Sequence, residues 1–247
     1  MDISIVIPAL NESLKIAFDV EMAAAFLHGN NFRGEIIVVD DGSTDGTGKV
    51  AKSVKVPPSI TLKVICSEQH HGKGYAVRAG VKETSGKYVM FTDSGYCVPY
   101  GNALLGLEML KDGTCDIAHG SRKLIESDIQ RDQPRCRRIS SAVFKWLIKK
   151  FMQIPNQLTD TQCGFKIYKG DIARQLYSRC ICDGFMFDIE IILLTQKQGY
   201  RIKEFPIEWT CDLDSRLKLT RTTWPVFSEL RAIKKALKDS KIPRTKT

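Results

Sequence analysis

The sequence predicts an α/β fold built on a mostly parallel, Rossmann-like sheet with flanking helices, and three observations predict it. Short apolar runs without polar alternation recur through the first 125 residues, as expected for strands covered on both faces. Each run gives way within a few residues to a segment of helical spacing, so strands and helices alternate as βαβ units. The polar residues Glu12, Asp40, Asp41, Asp93, Ser94 and Arg122 gather where the runs end, at the carboxyl edge where such sheets bind ligands.

The elements follow in order. "ISIVIP" (3–8) is a first strand, and Asn11-Glu12-Ser13 turns into a helix whose Ile16, Val20, Ala23 and Leu27 keep helical spacing until "GNN" stops it. "GEIIVVDDGSTDGTG" repeats the design, with a strand over residues 36–39, a turn carrying Asp40 and Asp41, and a helix near 46–54. "LKVICS" (62–67) is a third strand and "GKGYAVRAGVKETSG" a helix opened by glycines. "KYVMFTD" (87–93) is a fourth strand; Pro99 suits the first turn of the next helix, which runs to about Lys111. "CDIAHGSR" is a fifth strand ending at Arg122. An arginine-rich loop (122–138) then leads to the helix "SSAVFKWLIKKFMQI". The strings "TDTQCGFKIYKG", "GFMFDIEIILLTQKQGY" and "RIKEFPIEWTCDLDSRLKL", a helix over 224–238 and a basic tail (241–247) complete the chain. With no repeat or linker in sight, a single domain over 1–240 is expected, with a regular half at 1–125 and a less regular one at 126–220.

Composition narrows the partners. A formal charge of +9 over 247 residues favours anions: phosphates, nucleic acid or an acidic membrane surface. The basic residues are dispersed and lack interleaved aromatics, which counts against nucleic acid. The eight cysteines form no CxxC pair and, behind an N-terminus without a basic leader, read as reduced thiols of a cytoplasmic protein. No apolar run reaches the roughly 18 residues that span a bilayer.

The series "IVIPALNE", "VVDDGSTDGT", "GKGYAVRAG" and "FTD" resembles the nucleotide-binding half of inverting glycosyltransferase family 2, which has the GT-A fold. The resemblance implies that Pro8, Leu10, Glu12 and Asp41 hold the nucleotide base and ribose, and that Lys73 meets the diphosphate. In the second half "DTQCGFKIY", "FMFDIEI", "EFPIEW" and "DSRLKL" resemble, in that order, the polyprenyl-phosphate glycosyltransferases. "DTQCGFK" stands nearest the dolichyl-phosphate β-glucosyltransferase branch. That likeness implies a UDP-glucose donor and a dolichyl or undecaprenyl phosphate acceptor. It implies Asp160 as the catalytic aspartate, with Arg122, Arg137, Arg138 and Ser141 at the phosphates and Asp188 and Glu190 behind the acceptor pocket. Guanidinium forks suit phosphate oxygens.

The family pattern Asp-Ala-Asp stands here as Asp93-Ser94-Gly95. Both carboxylates of the pattern hold Mg²⁺ or Mn²⁺ against the donor diphosphate. Asp93 with Ser94 or water is the remaining site, weakened by the loss of one hard ligand. The helix near 139–154 carries Phe144, Leu147, Ile148 and Phe151 on one stripe, with Lys145, Lys149 and Lys150 off it. Such a stripe serves a core or a membrane interface. The lipid acceptor favours the second reading, and so peripheral contact at the cytoplasmic face of a membrane. Two rivals remain: a family 2 enzyme glycosylating a sugar or protein hydroxyl, with Asp160 as base, and a non-catalytic nucleotide-sugar-binding protein.

Overall fold

The apolar runs become the centre of a seven-stranded sheet of order β3-β2-β1-β4-β7-β5-β8. The structure, a computed structural model, describes residues 1–131, 151–155, 157–210 and 223–239. Its first half is β1 (Ile3–Ala9), α1 (Ile16–Gly29), β2 (Gly34–Asp40), α2 (Thr47–Ser53), β3 (Ile60–Cys66), α3 (Lys73–Lys82), β4 (Tyr88–Thr92), a 3₁₀ turn at Tyr100–Asn102, α4 (Ala103–Lys111) and β5 (Ile117–Ser121). Then come β6 (Asp128–Arg131), β7 (Phe165–Lys169), α5 (Gly170–Tyr177), α6 (Phe187–Gln198), β8 (Ile202–Pro206), β9 (Glu208–Thr210) and α7 (Thr223–Asp239). Every residue of β1, β2 and β4 is buried, which is why these strands read as continuous apolar runs. Each fully buried Val or Ile there contributes about 1.5–3 kcal/mol of transfer free energy. Pro8 is tolerated because the β1–β4 ladder has ended at Val6, so its missing N–H takes no bond from that side.

"FKIYK" forms β7, which runs antiparallel between β4 and β5. β5 therefore pairs with β7 and β8 and never with β4. Because β7 enters from the carboxyl edge of β4, with Phe165 opposite Thr92, it brings residues 158–164 to the same edge as Asp93 and Arg122. A short second sheet, β6 with β9, stands beside it. Among the described residues no helix is long and apolar enough to cross a membrane. Arg137, Arg138, Ser141, most of the 139–154 helix, the string 214–219 and the tail 241–247 lie outside the described residues. Of that helix, Phe151 is exposed under the Lys234 ammonium, while Met152 and Ile154 are buried.

Candidate active site

Two turns interlock at the edge formed by β1 and β2. The amides of Asn11, Glu12 and Ser13 donate to the side chains of Ser43, Thr47 and Asp45, and Asn11 Oδ1 accepts from the Thr44 amide. Asp40 accepts from the amides of Ser43 and Gly48, capping α2. Leu10 and Glu12 stand part-exposed on this rim. Asp41, which the resemblance sets at the nucleotide base and ribose, turns its carboxylate to the loop after β3. Its buried carboxylate accepts from the amides of His71 (3.0 Å) and Gly72 (2.8 Å), with His70 Nδ1 2.7 Å away. The physical reason is the loop 70–72, which needs a partner for successive amides. Gly72, at φ 130° with the Asp183 carbonyl where a Cβ would stand, leaves no space for a side chain.

Lys73, the first residue of α3, reaches to the end of β4, where its Nζ lies 2.6 Å from Asp93 Oδ1. Burial opposes the ammonium charge, but the carboxylates of Asp93 and Asp188 outweigh it and hold the Lys73 pKa above its ordinary value. Behind this pair Lys166 of β7 is buried in an ion pair with Asp188 of α6. Burial pushes the Asp188 pKa up, against the pull of Lys166 and Lys73. Both ammonium groups lie over the Phe91 ring, at 5.5 and 5.8 Å from its centroid. The Asp93 amide donates to the Gly164 carbonyl, and a Cβ on Gly164 would fall 2.1 Å from the Asp93 carboxyl. Asp93 therefore needs a glycine beneath it.

A divalent cation finds one hard oxygen donor in Asp93 and none on Gly95. No group of three His, Cys, Asp or Glu side chains among the described residues is placed to cage one. This donor set suits a cation that takes one carboxylate and completes its shell with phosphate oxygens and water.

The opposite corner is built differently. Arg122 grips Asp160 two-handed, Nε to Oδ2 at 2.6 Å and Nη2 to Oδ1 at 2.8 Å, and its amide adds a third bond. Burial opposes the guanidinium charge, but Asp160 overrides it and raises the Arg122 pKa. Asp160 is fully buried, and its own amide donates to Glu204, which also accepts from Thr159. The Trp209 ring lies 5.3 Å from the guanidinium carbon. Cys163 sits between the corners, where burial pushes its thiol up to about 12. On β5, His119 is buried and held neutral by burial and by Lys166.

Lys73, Asp93, Arg122 and Asp160 thus meet at one edge, and Ser94 is part-exposed beside them. Glu190 does not join them; it accepts from the amides of Ile181 and Cys182 and from the Cys180 thiol, fixing that loop. Residue reasoning missed Cys163, Gly164 and Lys166, though all lie in the string "DTQCGFK". It also missed Glu204 and Trp209, the first and last residues of "EFPIEW".

The family described as Glycosyl transferase family 2 matches residues 4–177. The dolichyl-phosphate beta-glucosyltransferase of Drosophila melanogaster is 30% identical over 221 residues, which cover 85% of this chain and 67% of that protein. The Dictyostelium discoideum protein of the same name is 29% identical over 218 residues, covering 84% and 66%. The chain thus spans about two thirds of the length of both. Among solved structures, a glucosyl-3-phosphoglycerate synthase of Mycobacterium tuberculosis, in complex with Mn²⁺ and UDP-glucose, superposes with a TM-score of 0.66. It is 20% identical, with 99% of this chain and 80% of that one covered. The likeness shows a shared GT-A fold.

Proposed function

This chain belongs to glycosyl transferase family 2, and on that premise we propose that it moves glucose from UDP-glucose to a polyprenyl phosphate with inversion. The names of its relatives support the acceptor class, and one observation in the site carries the reading. Asp160, the carboxylate nearest the acceptor corner, is buried and engaged on both oxygens by Arg122. A hydroxyl acceptor needs a base to take its proton; a phosphate oxygen is already ionised at neutral pH and needs none. Arg122 in turn is a cation suited to phosphate oxygens.

In this reading residues 1–125 take the donor and 126–220 the acceptor. Pro8, Leu10, Glu12 and the loop anchored by Asp41 form the nucleoside wall, and Ser94 lies beside the diphosphate. An acceptor phosphate oxygen, steered by Arg122 with Arg137, Arg138 and Ser141, forms the new bond to the anomeric carbon. The bond from that carbon to the diphosphate oxygen breaks on the opposite face, and the electron pair leaves with the nucleoside diphosphate. Lys73 faces that leaving charge. Mg²⁺ or Mn²⁺, held by Asp93 and the diphosphate oxygens, would supply further charge neutralisation there. Asp160 holds Arg122 in place. The lipid acceptor puts the protein at the cytoplasmic face of a membrane, in peripheral contact.

The test is product analysis with radiolabelled UDP-glucose, UDP-N-acetylglucosamine and GDP-mannose against a short-chain polyprenyl phosphate and free glycans. A glucosyl phospholipid, labile to mild acid and formed from UDP-glucose, is expected. Label appearing only on hydroxyl acceptors would overturn the acceptor, and preference for GDP-mannose would overturn the donor.

A further inference from the structure

Asp19 lies on the first turn of α1 and is 2% exposed. An acidic residue on a first turn would ordinarily face the amides of its own helix. This one turns to a different segment: its Oδ2 accepts the Gly95 amide at 2.8 Å, and the Tyr96 amide binds the same carboxylate. Gly95 (φ 93°) and Tyr96 (φ 48°) are both left-handed. Amides of successive residues that turn to one side make a concave grip for an anion. Here that anion comes from the protein itself. The same segment is fixed by rings, since Phe18 meets Tyr96 edge-on at 5.2 Å and Tyr96 leans on Tyr100 at 5.8 Å, which stacks on Phe26. Two residues before Gly95 stands Asp93, its own amide pinned to Gly164. Glu12, Lys15 and Tyr100 are the other titratable groups that bear on Asp19.

We propose that Asp19 is the positioning residue of the donor loop: by gripping the Gly95 and Tyr96 amides it sets where Asp93 stands toward the donor diphosphate. The inference rests on the proposed donor site. A tyrosine persists in the left-handed region only where its surroundings fix it, and the carboxylate with the aromatic rings supplies that fixation.

The experiment compares Asp19→Asn, which keeps one carbonyl oxygen for the amides, with Asp19→Ala, which keeps none. Amide hydrogen exchange of the peptide spanning 93–100 and calorimetric binding of UDP and UDP-glucose are read on the full chain. In Asp19→Ala exchange should quicken and the donor Kd rise about tenfold, the scale of one lost charge-assisted hydrogen bond; donor KM should rise while acceptor KM holds. Asp19→Asn should stay within about threefold of wild type, since a neutral acceptor replaces the charged one at modest loss. Should Asp19→Ala not fold, Asp19→Ser serves, its hydroxyl being too short to reach the amides. Wild-type donor affinity in the alanine or serine variant overturns the proposal, as does an asparagine variant as impaired as alanine. Failure of the wild type to bind any nucleoside diphosphate would instead sink the proposed function, and the exchange comparison would still read the grip.

Discussion

Two ion pairs face each other across the site, and their construction differs. Arg122–Asp160 is a two-pronged fork whose carboxylate is sealed from water and backed by Glu204. Lys73–Asp93 is a single contact between a flexible lysine and a carboxylate 38% exposed. A planar fork on a buried partner is fixed in direction, whereas an ammonium on a four-carbon stem can swing to a new anion. The first pair is therefore a permanent part of the wall. The second is one that, in the proposed reading, an incoming diphosphate and its cation would open, with Lys73 turning to the phosphates and Asp93 to the cation. Paired carboxylates in one site thus do unlike things because of what holds them.

The sharpest way to break this contrast is at Asp160. Asp160→Ala leaves a buried guanidinium uncompensated and should cost about 3–5 kcal/mol, read as a fall in the urea midpoint. Asp160→Asn keeps the shape and should fold, with kcat down on the order of 100-fold as Arg122 loses its anchor. A pH–rate profile whose fall on the acidic side disappears in the asparagine variant would instead make Asp160 a true base and favour a hydroxyl acceptor. At the other corner Asp93→Asn should lower activity on the order of 100-fold with little change in thermal midpoint, because electrostatic stabilisation is lost and no core is disturbed. Lys73→Met should weaken donor binding about tenfold. Wild-type activity unchanged in EDTA would transfer the whole cation role to Lys73 and Arg122. Gly95→Asp, which restores the family pattern, places a side chain at φ 93°, so any gain in metal affinity should come with a lower thermal midpoint.

A smaller effect is expected at the membrane. The protein should float with anionic liposomes at low salt and be released at high salt. Replacing Phe144, Leu147 and Phe151 with serine should abolish flotation; unfolding of that variant would make the stripe core. The smallest effect concerns Glu35, remote from both pairs at the start of β2. Burial opposes its ionisation, but hydrogen bonds from Ser4, Lys63 and Ser85 bring its pKa from 4.5 down to about 2. The native chain then binds fewer protons than the unfolded one, so this stabilisation is present above about pH 4.5 and is lost as pH falls toward 2. Urea midpoints should drop less steeply over that range in Glu35→Gln.

The parallel strands and the edge residues Asp93 and Arg122 were legible because burial on both faces writes a continuous apolar run and strand ends are marked by polar residues. Asp41 was legible in place but not in direction; nothing in "DDGS" says which of its carboxylates will turn to the amides of His71 and Gly72. The antiparallel insertion of β7 left no local mark, since "FKIYK" reads as a strand in either sense. Lys166 was hidden for another reason: a lysine within a strand pattern reads as a solvent-facing position, and only the distant Asp188 makes it a buried one. Asp19 was hidden in the same way, its partners being backbone amides some 76 positions away.

The insertion of β7 between β4 and β5 also bears on the order in which the molecule can be made. The β3-β2-β1-β4 ladder closes within the first 92 residues, with one edge of β4 left open for β7. β5 has no strand partner until β7 and β8 arrive at 165–206. On a ribosome adding about 5–20 residues per second, that ladder can therefore form seconds before residues 158–206, which complete both corners of the site, have been made. During that interval β5 is a strand without strand partners, followed by Arg122 without its Asp160. A chain stopped at about residue 125 should expose that strand and associate, whereas one carried past β8 should not. The late, non-local closure of β5 should set the slowest folding phase of the whole chain.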